Sequence, residues 1–261
     1  MNDTIQTQLR DDCFYVSLNR PSVRNALNAD MILALTHTFQ TIPATCRLVV
    51  LQGVGEVFCS GADINWMQEA ALLNAQDNRH DVEKLSALFL ALSNVEKPVL
   101  AKVQGAAIGG GAGLLTCCDL VVAERDAVFA FSEVHIGLLP AVIAPYVLAN
   151  MGLSRTRQYF LLGQKFSAQE ACQAGLVTQV SDKSDIDQVL ENWLQALLQG
   201  SPSAEKEIKS LLRFLVHPND ETVIHARCAD AIARQRQSPD GQEGLLAYLE
   251  KRKPQWQYPS R

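Results

Sequence analysis

The chain has 261 residues, 48% of them apolar, and a formal net charge of −5. That length suits one large domain or a domain with an appendage, and the acidic balance argues against a broad nucleic-acid surface. No stretch reaches the roughly eighteen uninterrupted apolar residues of a membrane helix, and Met1 to Gln6 has neither the basic nor the apolar part of a secretory leader.

In chain order, Phe14–Leu18 reads as a strand that stops at Asn19-Arg20-Pro21. Asn28 can cap a helix running to about Thr41, with Met31, Leu35 and Phe39 at helical spacing. Leu48–Leu51 is a buried-type strand closed by Gly53, and Val57–Asp63 is a glycine-bearing loop. One long helical region begins near Ile64, where Val82, Leu85, Phe89 and Leu92 share a face. Val99–Val103, Leu120–Ala123 and Val128–Phe131 are further short apolar strands. From Pro140, placed in a first turn, the pattern turns helical, with Gly152 just past an end. Ser167 to Glu170 is a capping box whose helix stops at Gly175. Helices are expected at 185–199, 203–216, 219–237 and 241–252, broken by Gly200-Ser201-Pro202, Pro218 and Pro239. Strands alternating with helices to about residue 180, then helices alone, predict an α/β core with a helical C-terminal part. The boundary is placed between 195 and 196, giving residues 1–195 and 196–261.

The seven cysteines, at 13, 46, 59, 117, 118, 172 and 228, form no CxxC pair, and no histidine cluster accompanies them. The expectation is reduced thiols in a cytoplasmic protein, with neither a metal site nor a disulfide framework.

The chemistry concentrates at Gly105-Ala-Ala-Ile-Gly109-Gly110-Gly111-Ala-Gly113, between an apolar strand and an apolar helix. Three adjacent glycines suit a place where backbone must approach something closely. The first turn of the helix leaves N–H groups without intrahelical partners. The spacing is not the G-x-G-x-x-G of dinucleotide binders, and no Lys-Ser/Thr follows for a phosphate loop. Two readings stay open on the residues alone: donors for an oxygen that gains charge during reaction, or tight helix–strand packing.

Six landmarks then come in order: Asn19–Leu27, Phe58–Asp63, Gly105–Gly111, Phe131–Pro140, Glu170–Val177 and Glu243–Lys253. Along nearly its whole length the chain resembles the crotonase (enoyl-CoA hydratase/isomerase) superfamily. The resemblance implies an α/β spiral of ββα turns with a C-terminal helical trimerisation region, forming homotrimers or hexamers. It implies an acyl-CoA substrate, with coenzyme A present only as part of that substrate and no other cofactor, metal, nucleic acid or membrane. The Ala62 and Gly110 amides would hold the thioester oxygen and Glu133 would be the acid/base group. A carboxyl in apolar surroundings has its pKa raised toward working pH, as such a role needs. Arg24, Asn25, Ala26 and Leu27 would contact the CoA part, with Arg20 fitting a phosphate by charge. Ser60, Gly61, Asp63, Ile64, Gly109 and Gly113 would line the substrate site, and Tyr248 and Lys251 would reach a neighbouring subunit's CoA.

One departure stands out. Well-known enoyl-CoA hydratases carry a second glutamate two residues after the triple glycine, where this chain has Gly113. The motifs around Gly113 and Glu133 look most like bacterial methylglutaconyl-CoA hydratases, and Gly113 would leave room for a branched acyl group. A single-glutamate enoyl-CoA isomerase and a glutaconyl-type decarboxylase are the alternatives, with a non-catalytic CoA- or RNA-binding protein more remote. His135 could pair with a substrate carboxylate or tune Glu133, with a solvent-facing role the simpler reading. Trp66 and Met67 are expected to pack in the core.

Overall fold

The computed structural model describes residues 4–216 and 220–257. Among the described residues nine strands form: β1 Ile5–Arg10, β2 Cys13–Leu18, β3 Leu48–Gly53, β4 Val99–Val103, β5 Ala106–Ile108, β6 Leu120–Glu124, β7 Val128–Ala130, β8 Phe166–Ser167 and β9 Gln179–Ser181. One six-stranded sheet runs β1-β2-β3-β4-β6-β9, parallel except for the β1–β2 hairpin. Its central strands are continuous apolar runs, and Leu48, Val49, Val50 and Leu51 are all fully buried. Such strands fit a parallel sheet covered on both faces. A second sheet, β5-β7-β8, holds the short strands around the triple glycine.

The helices are α1 Ala29–Gln40, α2 Ile64–Ala70, α3 Ala75–Ser93, α4 Gly110–Thr116, α5 Ala144–Leu162, α6 Ala168–Gln173, α7 Ile186–Leu198, α8 Pro202–Leu215, α9 Glu221–Gln237 and α10 Pro239–Leu249. Asn28 caps α1 through Met31, and Ser167 with Glu170 forms the expected capping box. Each such cap satisfies amides that the helix itself leaves without partners. No helix among the described residues is long and apolar enough to cross a membrane.

Several expected elements differ. The helical region from Ile64 is two helices, because Asn74 caps α3 and interrupts the run. Pro145, not Pro140, occupies the first turn of α5, while Gly152, at φ +68°, lies just past the end of that helix's first part, as expected. Pro202 and Pro239 open helices rather than separate them, a position where a missing N–H costs nothing. Pro218 and Asn219 lie outside the described residues.

By compactness the chain divides into two units. The first comprises the residues up to Val95 with Val99–Leu190 and contains both sheets. Its core gathers Phe58, Phe89, Phe129 and Phe131, all fully buried. The second comprises Glu96–Pro98 and the residues from Glu191, and contains α8, α9 and α10. Within it Arg252 grips Glu243 through two guanidinium nitrogens, at 2.6 and 2.9 Å.

Candidate active site

The site is built where two loops lie side by side. The first, Arg20–Leu27, starts as a turn of 3₁₀ helix and holds Arg24 and Asn25 at positive φ. Asn25 is fully buried and explains this geometry: its side-chain oxygen accepts from the Arg20 amide, and its NH₂ donates to Val54 and Val57 carbonyls at 2.9 and 2.7 Å. Asparagine tolerates the left-handed region better than most residues.

The second loop, Phe58–Asp63, is sewn to β5 on one side and to Leu27 on the other. Cys59 donates to Ala106 and accepts from Ile108. Leu27 donates to Gly61 and accepts from Asp63, flanking Ala62 in a parallel bridge. In a parallel pairing the residue between two such bonds turns its own N–H and C=O to the opposite side. Ala62 is that residue, and it is exposed. Ser60 closes the loop by donating its amide to Arg24.

The triple glycine packs on this loop. A side-chain carbon on Gly111 would lie 2.7–2.8 Å from Cys59 atoms, so only glycine allows the backbones this close. One on Gly110 would touch Leu27 Cδ1 at 3.1 Å, so Leu27 abuts both the Ala62 and the Gly110 segments. Gly110 is the first residue of α4, and among the described residues neither its amide nor that of Ala62 has a protein acceptor.

Glu133 completes the arrangement. β7 ends at Ala130, and Glu133 begins a 3₁₀ turn to Ile136. Its carboxyl lies against Gly109, where a side-chain carbon would stand 2.9 Å from Oε1. Gly109 has φ +51°, a conformation that also selects glycine. Oε2 is buried with no hydrogen-bond partner. Burial pushes the carboxyl above its ordinary value, only partly offset by its own backbone amide. A carboxyl whose charged form is disfavoured in this way, with one oxygen left without a partner, is suited to take and return a proton.

Two expectations are corrected. Gly113 leaves no space: it is buried under Ile143 and Phe89, whose Cβ and Cε1 would lie 3.0 and 3.2 Å from a side-chain carbon there. Ile143, which no motif singled out, fills the volume a longer residue would need. His135 is exposed, as its simpler reading had it, with a ring nitrogen 2.9 Å from the Leu162 carbonyl. Arg20 is not free for a phosphate, since its Nη1 donates to Ala26 O at 2.6 Å and Asp63 Oδ2 at 2.8 Å.

Asp63 is buried and caps α2 through Asn65 and Trp66, while Ile64 is largely exposed. Burial alone would raise the Asp63 carboxyl, but the Arg20 hydrogen bond, the two capped amides and the Arg20 charge leave it below its ordinary value. Trp66 is half-buried and donates to Asp81 at 2.9 Å. The guanidinium of Arg24 is exposed, and the amides of Asn25, Ala26 and Leu27 all donate within the protein. Tyr248 and Lys251 belong to the C-terminal unit; Tyr248 is exposed on α10, and Lys251 lies beyond that helix at φ +55°.

The enoyl-CoA hydratase/isomerase family model matches residues 10–259. The chain is 33% identical over 255 residues to the 2,3-dehydroadipyl-CoA hydratase of Escherichia coli, covering 92% of each chain. It is 29% identical over 242 residues to the short-chain-enoyl-CoA hydratase of Clostridium acetobutylicum, covering 91% of each. A crystal structure of an enoyl-CoA hydratase from Shewanella pealeana superposes with a TM-score of 0.92 at 35% identity, covering 97% of this chain and 96% of that one. The chain therefore belongs to the enoyl-CoA hydratase/isomerase family, the crotonase superfamily, and is an enzyme of that type.

Proposed function

We propose that this enzyme reversibly adds water across a 2-enoyl-CoA thioester, with 3-methylglutaconyl-CoA as the acyl group. The observation that carries the reading is the Glu133 carboxyl, one oxygen buried without a partner, beside Gly109 and next to the acceptorless Gly110 amide. The Gly110 and Ala62 N–H groups would donate to the thioester oxygen. As water attacks C3, Glu133 takes its proton and the double-bond electrons move onto that oxygen. When the enolate collapses, Glu133 returns the proton to C2. Preorganised donors aimed at a developing oxyanion contribute about 3–4 kcal/mol each in comparable sites.

The acyl assignment rests on the motif resemblance around Gly113 and Glu133. The Escherichia coli relative supports a carboxylated substrate, since a dehydroadipyl thioester keeps one free carboxylate at the far end of its acyl chain. Coenzyme A would meet the segment Arg24–Leu27 through the Asn25 carbonyl and the Arg24 side chain, because the amides of Asn25, Ala26 and Leu27 and the carbonyls of Arg24, Ala26 and Leu27 already have partners within the protein. Homotrimers or hexamers would place Tyr248 and Lys251 at a neighbour's CoA. No cofactor beyond the substrate's own coenzyme A enters this scheme.

A second reading, isomerisation of a 3-enoyl-CoA, is favoured by Gly113. With Ile143 packed over it, no second carboxylate stands there to help hold a water. The test is to incubate linear, branched and carboxylated 2- and 3-enoyl-CoAs separately and follow the products by mass. Hydroxyacyl-CoA formed fastest from the branched, carboxylated 2-enoyl thioester is the expected result. A shifted double bond without hydration would install the isomerase, and CO₂ release would point to decarboxylation.

A further inference from the structure

We infer that Arg20 is a positioning residue for the oxyanion donor at Ala62, acting through Asp63 rather than by touching substrate. The inference rests on the proposed role of the Ala62 amide and says what holds that amide in place.

Ala62 has no side chain that could anchor it. Its backbone is fixed only by its neighbours: Gly61 O accepts from Leu27 and Asp63 N donates to Leu27, at 2.7 and 2.8 Å. The Gly61–Ala62 peptide plane carries both the Gly61 O and the Ala62 N–H, so a rotation of that plane would swing the donor. Arg20 Nη1 bonds to both sides of this pairing, to Ala26 O immediately before Leu27 and to Asp63 Oδ2 immediately after Ala62. One nitrogen thus ties the two paired segments together. Asp63 is fixed in turn, because Oδ1 accepts from Asn65 and Trp66 and so sets where α2 begins.

The surroundings strengthen the coupling. The side chains of Arg20 and Asp63 are only 20% and 7% exposed, so water cannot readily replace either partner. The backbone of Arg20 is also held: its amide donates to Asn25 Oδ1 and its carbonyl accepts from the Val23 and Asn25 amides. The guanidinium therefore sits on a rigid turn rather than on a mobile stem. A misplacement of about 1 Å at a reacting group can lower a rate about 100-fold, so a clamp of this kind acts on rate more than on affinity.

The test uses the full-length enzyme with Arg20→Ala and Arg20→Lys. Steady-state kinetics on the best 2-enoyl-CoA are paired with the near-ultraviolet absorbance of a bound 3-oxoacyl-CoA, which reports enolate formed at the oxygen-binding site. Arg20→Ala is expected to lower kcat by about 10-fold to 100-fold with KM changed by less than about 3-fold, and to reduce the bound enolate. Because both contacts come from one nitrogen, a Lys ammonium, although one bond shorter, keeps a charged donor toward Asp63, and Arg20→Lys is expected to recover part of the kcat and of the enolate signal. If Arg20→Ala does not fold, the same enolate comparison is made with Arg20→Lys and Arg20→Gln, and a weaker signal is expected for Gln. A raised KM with unchanged kcat and enolate signal would overturn the inference and assign Arg20 to the CoA phosphates. Wild-type enzyme that binds the 3-oxoacyl-CoA without enolising it would overturn the oxyanion reading itself, and the clamp with it.

Discussion

Ile143 stands directly over Gly113: a side-chain carbon on the glycine would lie 3.0 Å from Ile143 Cβ, with Phe89 Cε1 at 3.2 Å. The two sites are therefore coupled, and a carboxylate cannot be introduced at 113 alone. Gly113→Glu is expected to destabilise the enzyme by about 3 kcal/mol or more, combining overpacking with burial of a charge. Adding Ile143→Ala should recover part of that loss, since it removes the branches that crowd the glycine. Urea midpoints of the two single variants and the double variant check this; strictly additive losses would show that the sites are not coupled.

Glu133→Gln is expected to lower kcat by about 1,000-fold, within the range for loss of a positioned acid/base group. The same change should leave stability at neutral pH unchanged or raised, because it removes a buried carboxyl whose Oε2 has no partner. Turnover and thermal unfolding of one preparation check both halves. Turnover near that of the wild type would remove Glu133 from the chemistry.

The pH dependence follows from two shifts of opposite sign. Glu133 must be ionised to accept a proton, and burial raises it above its ordinary value of 4.5. The acid limb of kcat/KM should therefore lie above that value and vanish from the residual activity of Glu133→Gln. For stability, a raised folded value means the folded state keeps a proton the unfolded chain has lost, so this contribution weakens as pH rises through that window. Asp63 runs the other way: its folded value is below 3.8, so its contribution is present above that pH and disappears as the group protonates. Unfolding measured against pH, in the wild type and Asp63→Asn, separates the two.

Asn25→Ala is expected to cost about 2–4 kcal/mol, leaving the partly buried Val54 and Val57 carbonyls without their donor. A second contribution comes from φ +56°, which alanine adopts poorly. Asn25→Gly should lose less, since it relieves the backbone penalty while forfeiting the same hydrogen bonds. Denaturant titrations of both variants check the order.

Much of the architecture was legible in the chain. Apolar runs such as Leu48–Leu51 marked buried strands, and Asn28 and Ser167 marked helix starts, because these signals depend on residues close in sequence. The strands β1, β5 and β8 were not visible: five of the six residues of β1 are exposed, and β5 and β8 have three and two residues. No periodicity develops over so few positions. Pro140 was misread because Pro145, five residues on, satisfies the same first-turn preference.

The sequence by itself determined which groups are available: a run of glycines that permits close backbone approach, one glutamate after an apolar strand, and family membership through ordered landmarks. Only the tertiary structure decided what stands beside those groups. It bonded Arg20 to Asp63 where a phosphate contact was expected, and it placed Ile143 where an open pocket was expected. The reason is physical. A side chain's charge and size are local properties, but its partner and the volume left beside it are set by segments 43 and 30 residues away, brought together only by folding.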